Sequence, residues 1–222
     1  NNQFGCVLES APDPYDWHAY LRRNGGSFIS ADGKEIEGIL NSEANAEVLD
    51  MLGGMVKDGL CTLGGGNNQL STSDLFATGK IAMEQDGVWP MSQYQEAGIN
   101  FGTVGLPSFG DAPAKNVINV AGISITKDSK HPQEAWSFAK FFVSAEAQRM
   151  RLADLPVSPD VAQDFNGKNI LEDPTMATFY NVIEQATETP AFLLTPAWSQ
   201  ISSNVQNAIS AVMLGQATGQ QA

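Results

Sequence analysis

The chain has 222 residues, of which 42% are hydrophobic and 17% charged, a balance typical of a globular protein with a buried core. Its net charge of −13 excludes nucleic acid as the expected partner, because neutralising phosphates requires clustered Lys and Arg. No apolar run approaches the ~20 residues of a membrane span, and the first residues do not resemble a signal peptide, as in a mature or truncated secreted protein.

The first half of the chain is predicted to alternate between strands and helices, which favours an α/β fold. Ser42 is the expected N-cap of an amphipathic helix that ends at Gly59. Ser73 is expected to cap a shorter helix that stops at Gly79. Strands are predicted at residues 4–8, 81–85 and 101–106, helices at 18–23, 43–58, 74–78 and 90–98, a turn at 13–17 and a loop at 64–68.

The second half is predicted to be mainly helical after a linker at 107–115 and a β-like run at 117–125. Pro132 lies near the first position of a helix, where its missing N–H is not needed. That helix is expected to bury Ala135, Phe138, Ala139, Phe142 and Val143, with Trp136 packed beside them. Further predictions are helices at 145–152, 176–183 and 198–213, a loop at 156–159 and a frayed tail after Gly215.

Motifs of common catalytic and metal sites are absent from the sequence. It contains no GxSxG, HExxH, P-loop or EF-hand pattern, so we predict no catalytic residue, no metal site and no cofactor. His18 and His131 are both expected in contact with solvent. Cys6 and Cys61 match no zinc-site spacing and either form one disulfide or remain two thiols.

Trp89 is the strongest candidate for a ligand contact. It lies just after a predicted strand, with Asp86 and Gly87 before it and a helix expected from Pro90. Ligands of open α/β sheets bind at the carboxyl ends of strands, and an indole can cover the C–H face of a sugar. The alternative is that Trp89 is a core residue that caps the strand.

Several stretches of the chain, taken in sequence order, resemble extracellular solute-binding proteins of ABC importers. The resemblance is to their sugar-binding, maltose-binding-protein-like group. Residues 75–83 are similar to the pattern F-x-x-G-K-x-A-M, and they lead into Gly87-Val88-Trp89. Residues 101–107 resemble a strand that leaves one lobe. Residues 121–130 and 133–142 are similar to G-x-x-I-x-K-x-S-K followed by E-A-W-x-F-x-K-F. The resemblance extends over residues 4–215.

The resemblance implies a periplasmic-binding-protein-like α/β fold, with two lobes joined by crossing strands and the solute between them. Residues 1–107 and 156–222 are then expected in the C-terminal lobe, and residues 116–155 in a returning part of the N-terminal lobe. Most of that N-terminal lobe has no counterpart here, so apolar residues such as Phe138 and Phe142 are expected to lack their usual partners. Either the chain is a fragment or another chain covers them.

The resemblance also implies a set of ligand-binding residues. Trp89 matches the stacking Trp of the family, and Tyr15 and Trp198 resemble two further aromatic contacts. Asp86 and Gly122 lie at positions that often face the cleft, and Trp17 is added for its proximity to Tyr15. Tyr15 and Trp198 have an alternative role in packing, the first at a Pro-flanked corner and the second at the start of an apolar helical stripe.

The function implied is to bind a carbohydrate, expected to be an oligosaccharide, and to deliver it to the membrane subunits of an ABC transporter without catalysis. The expected location is extracytoplasmic, either periplasmic or lipid-anchored at the cell surface. A polyamine or another small solute is an alternative ligand, because Asp13, Asp16 and Asp86 lie near the aromatic candidates. A carbohydrate-active enzyme that uses a carboxylate pair is the third possibility.

Overall fold

The fold is built on a sheet of three parallel strands with β1 in the centre. The computed structural model describes residues 3–65, 70–110, 122–150, 157–185 and 191–222. Its strands are β1 (Phe4–Glu9), β2 (Cys61–Gly64) and β3 (Ile81–Met83), in the order β2-β1-β3. Cys6 of β1 is aligned with Cys61 on one side and Met83 on the other. Because the strands are parallel, their carboxyl ends lie at one edge of the sheet.

A helix follows each strand, and helices are the commonest regular structure of the described chain. Asp13 caps the first helix by accepting the Tyr15 N–H at 2.8 Å, and Ser42 caps the second by accepting the Asn45 N–H. The helices are α1 (Pro14–Arg22), α2 (Glu43–Lys57), α3 (Thr72–Ala77), α4 (Met91–Glu96), α5 (Pro132–Phe142), α6 (Ala145–Met150), α7 (Pro159–Gln163), α8 (Pro174–Gln185) and α9 (Trp198–Met213), with short 3-10 turns at Ile170–Glu172 and Ala191–Leu194. Within the described ranges, none of them is long and apolar enough to cross a membrane.

Two hydrophobic clusters hold these elements together. In the larger one, α1, α2 and α9 pack with β1 around the fully buried Phe28 and Phe192. The smaller one joins α7 and α8 through Val161 and Tyr180, whose hydroxyl donates to the carbonyl of Val157 at 3.0 Å. Burial of such side chains contributes roughly 1.5–3 kcal/mol each, so these clusters are the main stabilising features of the fold.

A disulfide joins β1 to β2. Cys6 and Cys61 are direct neighbours across the sheet, with Cα atoms 4.5 Å apart. Cys61 is buried, and 55 positions separate the two residues in sequence. The bond decides between the two alternatives that the sequence left open, and disulfides of this kind are typical of proteins outside the reducing cytosol.

Most of the predicted helices are confirmed, although some boundaries differ. α2 begins after Ser42, α5 has Pro132 in its first turn and α9 covers residues 198–213 as expected. The segment 13–17, predicted as a turn, already contains the first residues of α1. Ser71 caps α3 instead of Ser73, because its side chain accepts the Asp74 N–H. Pro159, predicted in a loop, begins α7.

The strand predictions contain the larger errors. β2 was missed, because its four residues end in Gly64, which was assigned to a loop. Residues 101–106 form no strand. There the Thr103 hydroxyl donates to the Thr175 carbonyl at 2.8 Å, and side-chain bonds to α8 take the place of a ladder. In the β-like run at 117–125, residues 122–125 form no strand and the rest lie outside the described residues.

Two surface predictions are also wrong. The segment after Gly215 is not frayed, because the Gly219 N–H donates to the Asp50 carboxylate at 2.6 Å and the chain packs on α2. On α5, only Ala139 of the five residues expected to be buried is buried, and Phe138 is 58% exposed. The aromatic face of α5 is thus largely open to solvent, and on it the rings of Phe138 and Phe142 contact each other with centroids 5.9 Å apart.

Candidate ligand-binding site

The carboxyl edge of the sheet carries the candidate site. β1 leads through Asp13 into α1, and β3 leads into the segment that contains Asp86 and Trp89. The Gln85 amide donates to the Asp16 carbonyl at 3.2 Å and joins the two segments. A shallow hollow of about 30 Å³ opens at this edge between the ends of β1 and β3. Its lining includes Glu9, Asp16, Trp17, Tyr20, Thr72 and Gln85.

Trp89 presents an open indole at this edge. Its side chain is 62% exposed. The six-membered ring lies over Gly87, so closely that a Cβ on Gly87 would overlap it. Asp86 accepts hydrogen bonds from the Gly87 N–H at 2.7 Å and the Ser73 hydroxyl at 3.1 Å, and the nearby Trp89 side chain acts to lower the pKa of the carboxyl. One face of the indole is therefore supported by the chain while the rest is available for stacking.

Tyr15 and Trp198 belong to a second aromatic group, joined by Phe192. The Trp198 and Phe192 ring centroids are 4.2 Å apart, and Tyr15 meets Phe192 edge-on at 6.0 Å. Both outer rings are partly exposed, whereas Phe192 is fully buried. The Tyr15 hydroxyl is buried and has no hydrogen-bond partner within the described part of the chain.

Acidic groups concentrate beside these rings. Burial, and then repulsion from Glu9, Asp13 and Asp86, raises the pKa of Asp16 to about 6. Burial, and then the Asp86 charge, raises the pKa of Glu84 to about 8, and burial also raises the pKa of Asp86. The Glu84 carboxyl accepts a hydrogen bond from the Tyr94 hydroxyl. The edge is thus acidic, and these carboxyls titrate closer to neutral pH than usual.

Sequence comparison identifies the family. Residues 8–178 match the family described as bacterial extracellular solute-binding protein. The chain belongs to this family. Similarity extends to the galactooligosaccharide-binding protein of Bacillus subtilis (strain 168), with 25% identity over 219 residues that cover 96% of this chain and 50% of the relative.

Solved structures of solute-binding proteins share the fold. One is the ABC substrate-binding protein Lmo0181 of Listeria monocytogenes, in complex with cycloalternan, with a TM-score of 0.81 and 23% identity. Another is the GacH receptor of Streptomyces glaucescens, studied unliganded and with acarbose, with a TM-score of 0.80 and 19% identity. Each alignment covers 99% of this chain and 56% of the other. This solute-binding chain thus spans about half the length of the relatives it matches.

The structure brings together some of the predicted site residues of this solute-binding protein. Trp89 and Asp86 are adjacent, Tyr15 lies on α1 next to Asp16, and Trp198 reaches this group through Phe192. Trp17 differs, since it is only 2% exposed and packs in the core, so that it contributes to the wall of the hollow but offers almost no surface for stacking. Gly122 is exposed, and no atom lies within 4 Å of the position of a Cβ there.

Other residues of this edge were misjudged or missed. His18 is buried between Phe28 and Phe192, with ring centroids at 5.0 and 4.8 Å, and not solvated as predicted. Phe192 and Glu84 had no role in the sequence analysis. For Phe192, the apolar run 191–194 between two helical segments was the available signal. Asp13, weighed as an acidic ligand contact, is engaged as the N-cap of α1.

Proposed function

We propose that the carboxyl edge of the sheet is one wall of a carbohydrate-binding site, on which an oligosaccharide stacks against Trp89, with Tyr15 and Trp198 as further contacts. The observation that carries this proposal is the largely exposed indole of Trp89, supported from below by Gly87. Stacking on such rings contributes roughly 0.5–1.5 kcal/mol each beyond area burial. One relative is named for galactooligosaccharide, and two similar structures were studied with cycloalternan and acarbose, which supports an oligosaccharide as ligand.

The biological role proposed is delivery of the captured sugar to the membrane subunits of an ABC transporter, outside the cytoplasm. Membership in an extracellular family supports this location, as does the Cys6–Cys61 disulfide. The proposal of an extracytoplasmic location includes both a periplasmic form and a lipid-anchored form. The protein binds its ligand without chemical turnover, so incubation with a polysaccharide panel should release no reducing sugar, and Asp86→Asn should leave that result unchanged.

The lobe assignment is part of the proposal. Residues 1–107 and 156–222 form one lobe, and residues 116–155 return to the other. The exposed aromatic face of α5, which includes Phe138 and Phe142, supports this assignment, because such a face requires a cover. Hydrogen exchange measured on the whole protein would test this assignment. If the other lobe covers α5, the backbone amides of α5 should exchange as slowly as those of α9.

Calorimetric titration of the whole protein with monosaccharides, galacto-oligosaccharides and malto-oligosaccharides tests the ligand class. We expect binding of at least one oligosaccharide, and a loss of affinity of about tenfold or more for Trp89→Ala. Trp136→Ala is the matched control, because Trp136 is also exposed but lies on α5, away from the carboxyl edge. Absence of heat with every sugar, or equal losses for both variants, would contradict the proposal.

A cationic solute is the second candidate, and the acidic edge favours it. Asp16 is surrounded by Glu9, Asp13 and Asp86, and the interactions that shift its pKa involve no basic group. A polyamine would lower the repulsion among these carboxylates and pack its methylenes on the rings. Titration with putrescine and spermidine separates the candidates, because polyamine binding should weaken steeply with salt, whereas stacking of a neutral sugar should not.

A further inference from the structure

The carboxylate of Asp86 is bonded to its own chain. Oδ1 accepts the Gly87 N–H at 2.7 Å, Oδ2 accepts the Ser73 hydroxyl at 3.1 Å, and the Trp89 side chain is close enough to lower the pKa of the carboxyl. Ser73 belongs to α3, so the carboxylate joins that helix to the segment after β3. Because each oxygen already accepts one of these donors, the carboxylate has less capacity left for a ligand. This differs from the cleft-facing contact that the sequence resemblance implied for Asp86.

Gly87 provides the space for the indole. A Cβ built on Gly87 would overlap Cε3, Cζ3 and Cη2 of Trp89, which form one side of its six-membered ring. The φ angle of Gly87 is not among the positive values of the chain, so a left-handed backbone conformation is not what requires a glycine here. The reason for a glycine at this position is therefore the approach of the ring, and not the conformation of the main chain.

We propose that Asp86 and Gly87 are positioning residues that fix the orientation of Trp89 before the ligand arrives. Asp86 ties the segment that carries the indole to α3, and Gly87 lets the ring lie against the backbone. Within the described ranges, Trp89 forms no ring pair with another aromatic residue, and these two neighbours supply the constraint that packing supplies elsewhere. An exposed side chain ordered in advance loses less conformational entropy on binding. This inference rests on the proposed role of Trp89 in binding.

Gly87→Ala isolates the steric part of the inference. The added methyl group should displace the indole and lower sugar affinity by roughly 2- to 10-fold, with little loss of stability because Trp89 is exposed. Gly54→Ala in α2 is the matched control, since no atom lies within 4 Å of its Cβ position. An affinity for Gly87→Ala equal to that of wild type would overturn the steric part.

A double-mutant cycle isolates the role of Asp86. If Asp86 acts through Trp89, Asp86→Ala lowers affinity in the wild type but changes nothing further in the Trp89→Ala background. Additive losses would overturn the inference, because they would mean that Asp86 contacts the ligand itself. Asp86→Asn retains one acceptor oxygen and should restore part of the affinity lost in Asp86→Ala.

NMR provides a readout that needs no ligand. The chain has four tryptophans, and the indole Nε1–H signal of Trp89 is assigned by its loss in Trp89→Phe. We expect that signal to move, and its hydrogen exchange to accelerate, in Asp86→Ala and Gly87→Ala but not in Gly54→Ala. An unchanged signal in both variants would overturn the inference. If the wild type binds no sugar while the signal behaves as expected, the proposed function fails and the positioning role stands.

Discussion

The indole of Trp198 lies against the ring of Phe192, with centroids 4.2 Å apart and planes inclined by 30°. Phe192 is completely buried, and it also contacts Tyr15 and the imidazole of His18. A single core residue thus supports two of the rings proposed to face the ligand. Stability and binding are coupled at this point, since a change in the core side chain moves the surface rings that rest on it.

Phe192→Ala should lower the free energy of unfolding by about 3–5 kcal/mol, because it removes a fully buried ring and leaves a cavity. Urea denaturation measures the loss, and Phe192→Leu provides a milder variant if the alanine protein does not fold. Phe138→Ala is the control, since Phe138 is 58% exposed on α5 and should change stability by less than about 0.5 kcal/mol. Equal losses for the two alanine variants would contradict the central role of Phe192.

Helices with long periodic stripes could be predicted from the sequence, because caps and spacing are local. α2 and α9 are the clearest cases. β2 could not be predicted with the same rules, because four residues that end in glycine carry too short a pattern. The segment 101–106 alternates like a strand, yet its partner is α8, and the Thr103–Thr175 bond connects residues 72 positions apart. Local sequence contains no information on that pairing.

The candidate site likewise contains residues that local sequence predicts and residues whose environment depends on distant parts of the chain. Trp89 and Tyr15 could be predicted as ligand contacts because they lie at a strand exit and a helix start, positions that the sequence marks directly. Glu84 and Phe192 were not found, because their environments depend on distant parts of the chain. Likewise, the bond from Gln85 to Asp16 connects residues 69 positions apart. The pKa of Glu84 is raised first by its burial in the folded protein, which depends on residues distant in sequence.

Ser42→Ala should lower the free energy of unfolding by roughly 1 kcal/mol, within a range of about 0.5–2. The Ser42 hydroxyl accepts the Asn45 N–H at the start of α2, and alanine leaves that donor without its partner. Chemical denaturation followed by circular dichroism measures the change. Ser203→Ala, at an exposed position within α9, removes a hydroxyl without removing a cap, and a loss as large as that of Ser42→Ala would argue against the capping role.

Reduction of Cys6–Cys61 should lower the free energy of unfolding by about 2–5 kcal/mol, as expected when a cross-link between distant residues is removed from the unfolded chain. The bond closes a loop over 55 positions. Thermal unfolding with and without a phosphine reductant measures the effect. The Cys6→Ser/Cys61→Ser protein is the control, because its melting temperature should not respond to the reductant. Mass spectrometry that found two alkylated thiols in the untreated protein would contradict the prediction.

Glu84 should make the protein less stable as pH rises. Burial and the Asp86 charge raise its pKa to about 8 in the folded state from 4.5, so between these values the folded protein holds a proton that the unfolded chain has released. The contribution of protonated Glu84 to the free energy of unfolding is therefore fully present below about pH 4.5 and is lost as pH rises through about 8. Asp16, whose pKa is raised to about 6, also lowers the stability as pH rises, but at lower pH. The loss of stability above pH 6 is therefore due chiefly to Glu84.

Glu84→Gln tests this assignment, because glutamine resembles the protonated acid and retains an oxygen that can accept the Tyr94 hydroxyl. Between pH 6 and 9 the wild type should lose stability, while the variant should lose distinctly less and become the more stable of the two at pH 9. Urea denaturation at each pH measures both curves. Glu96→Gln, an equal change of charge at an exposed residue of α4, should follow the wild-type curve. Parallel curves for wild type and Glu84→Gln would mean that Glu84 is ionised in the folded protein, with its charge accommodated beside Asp86.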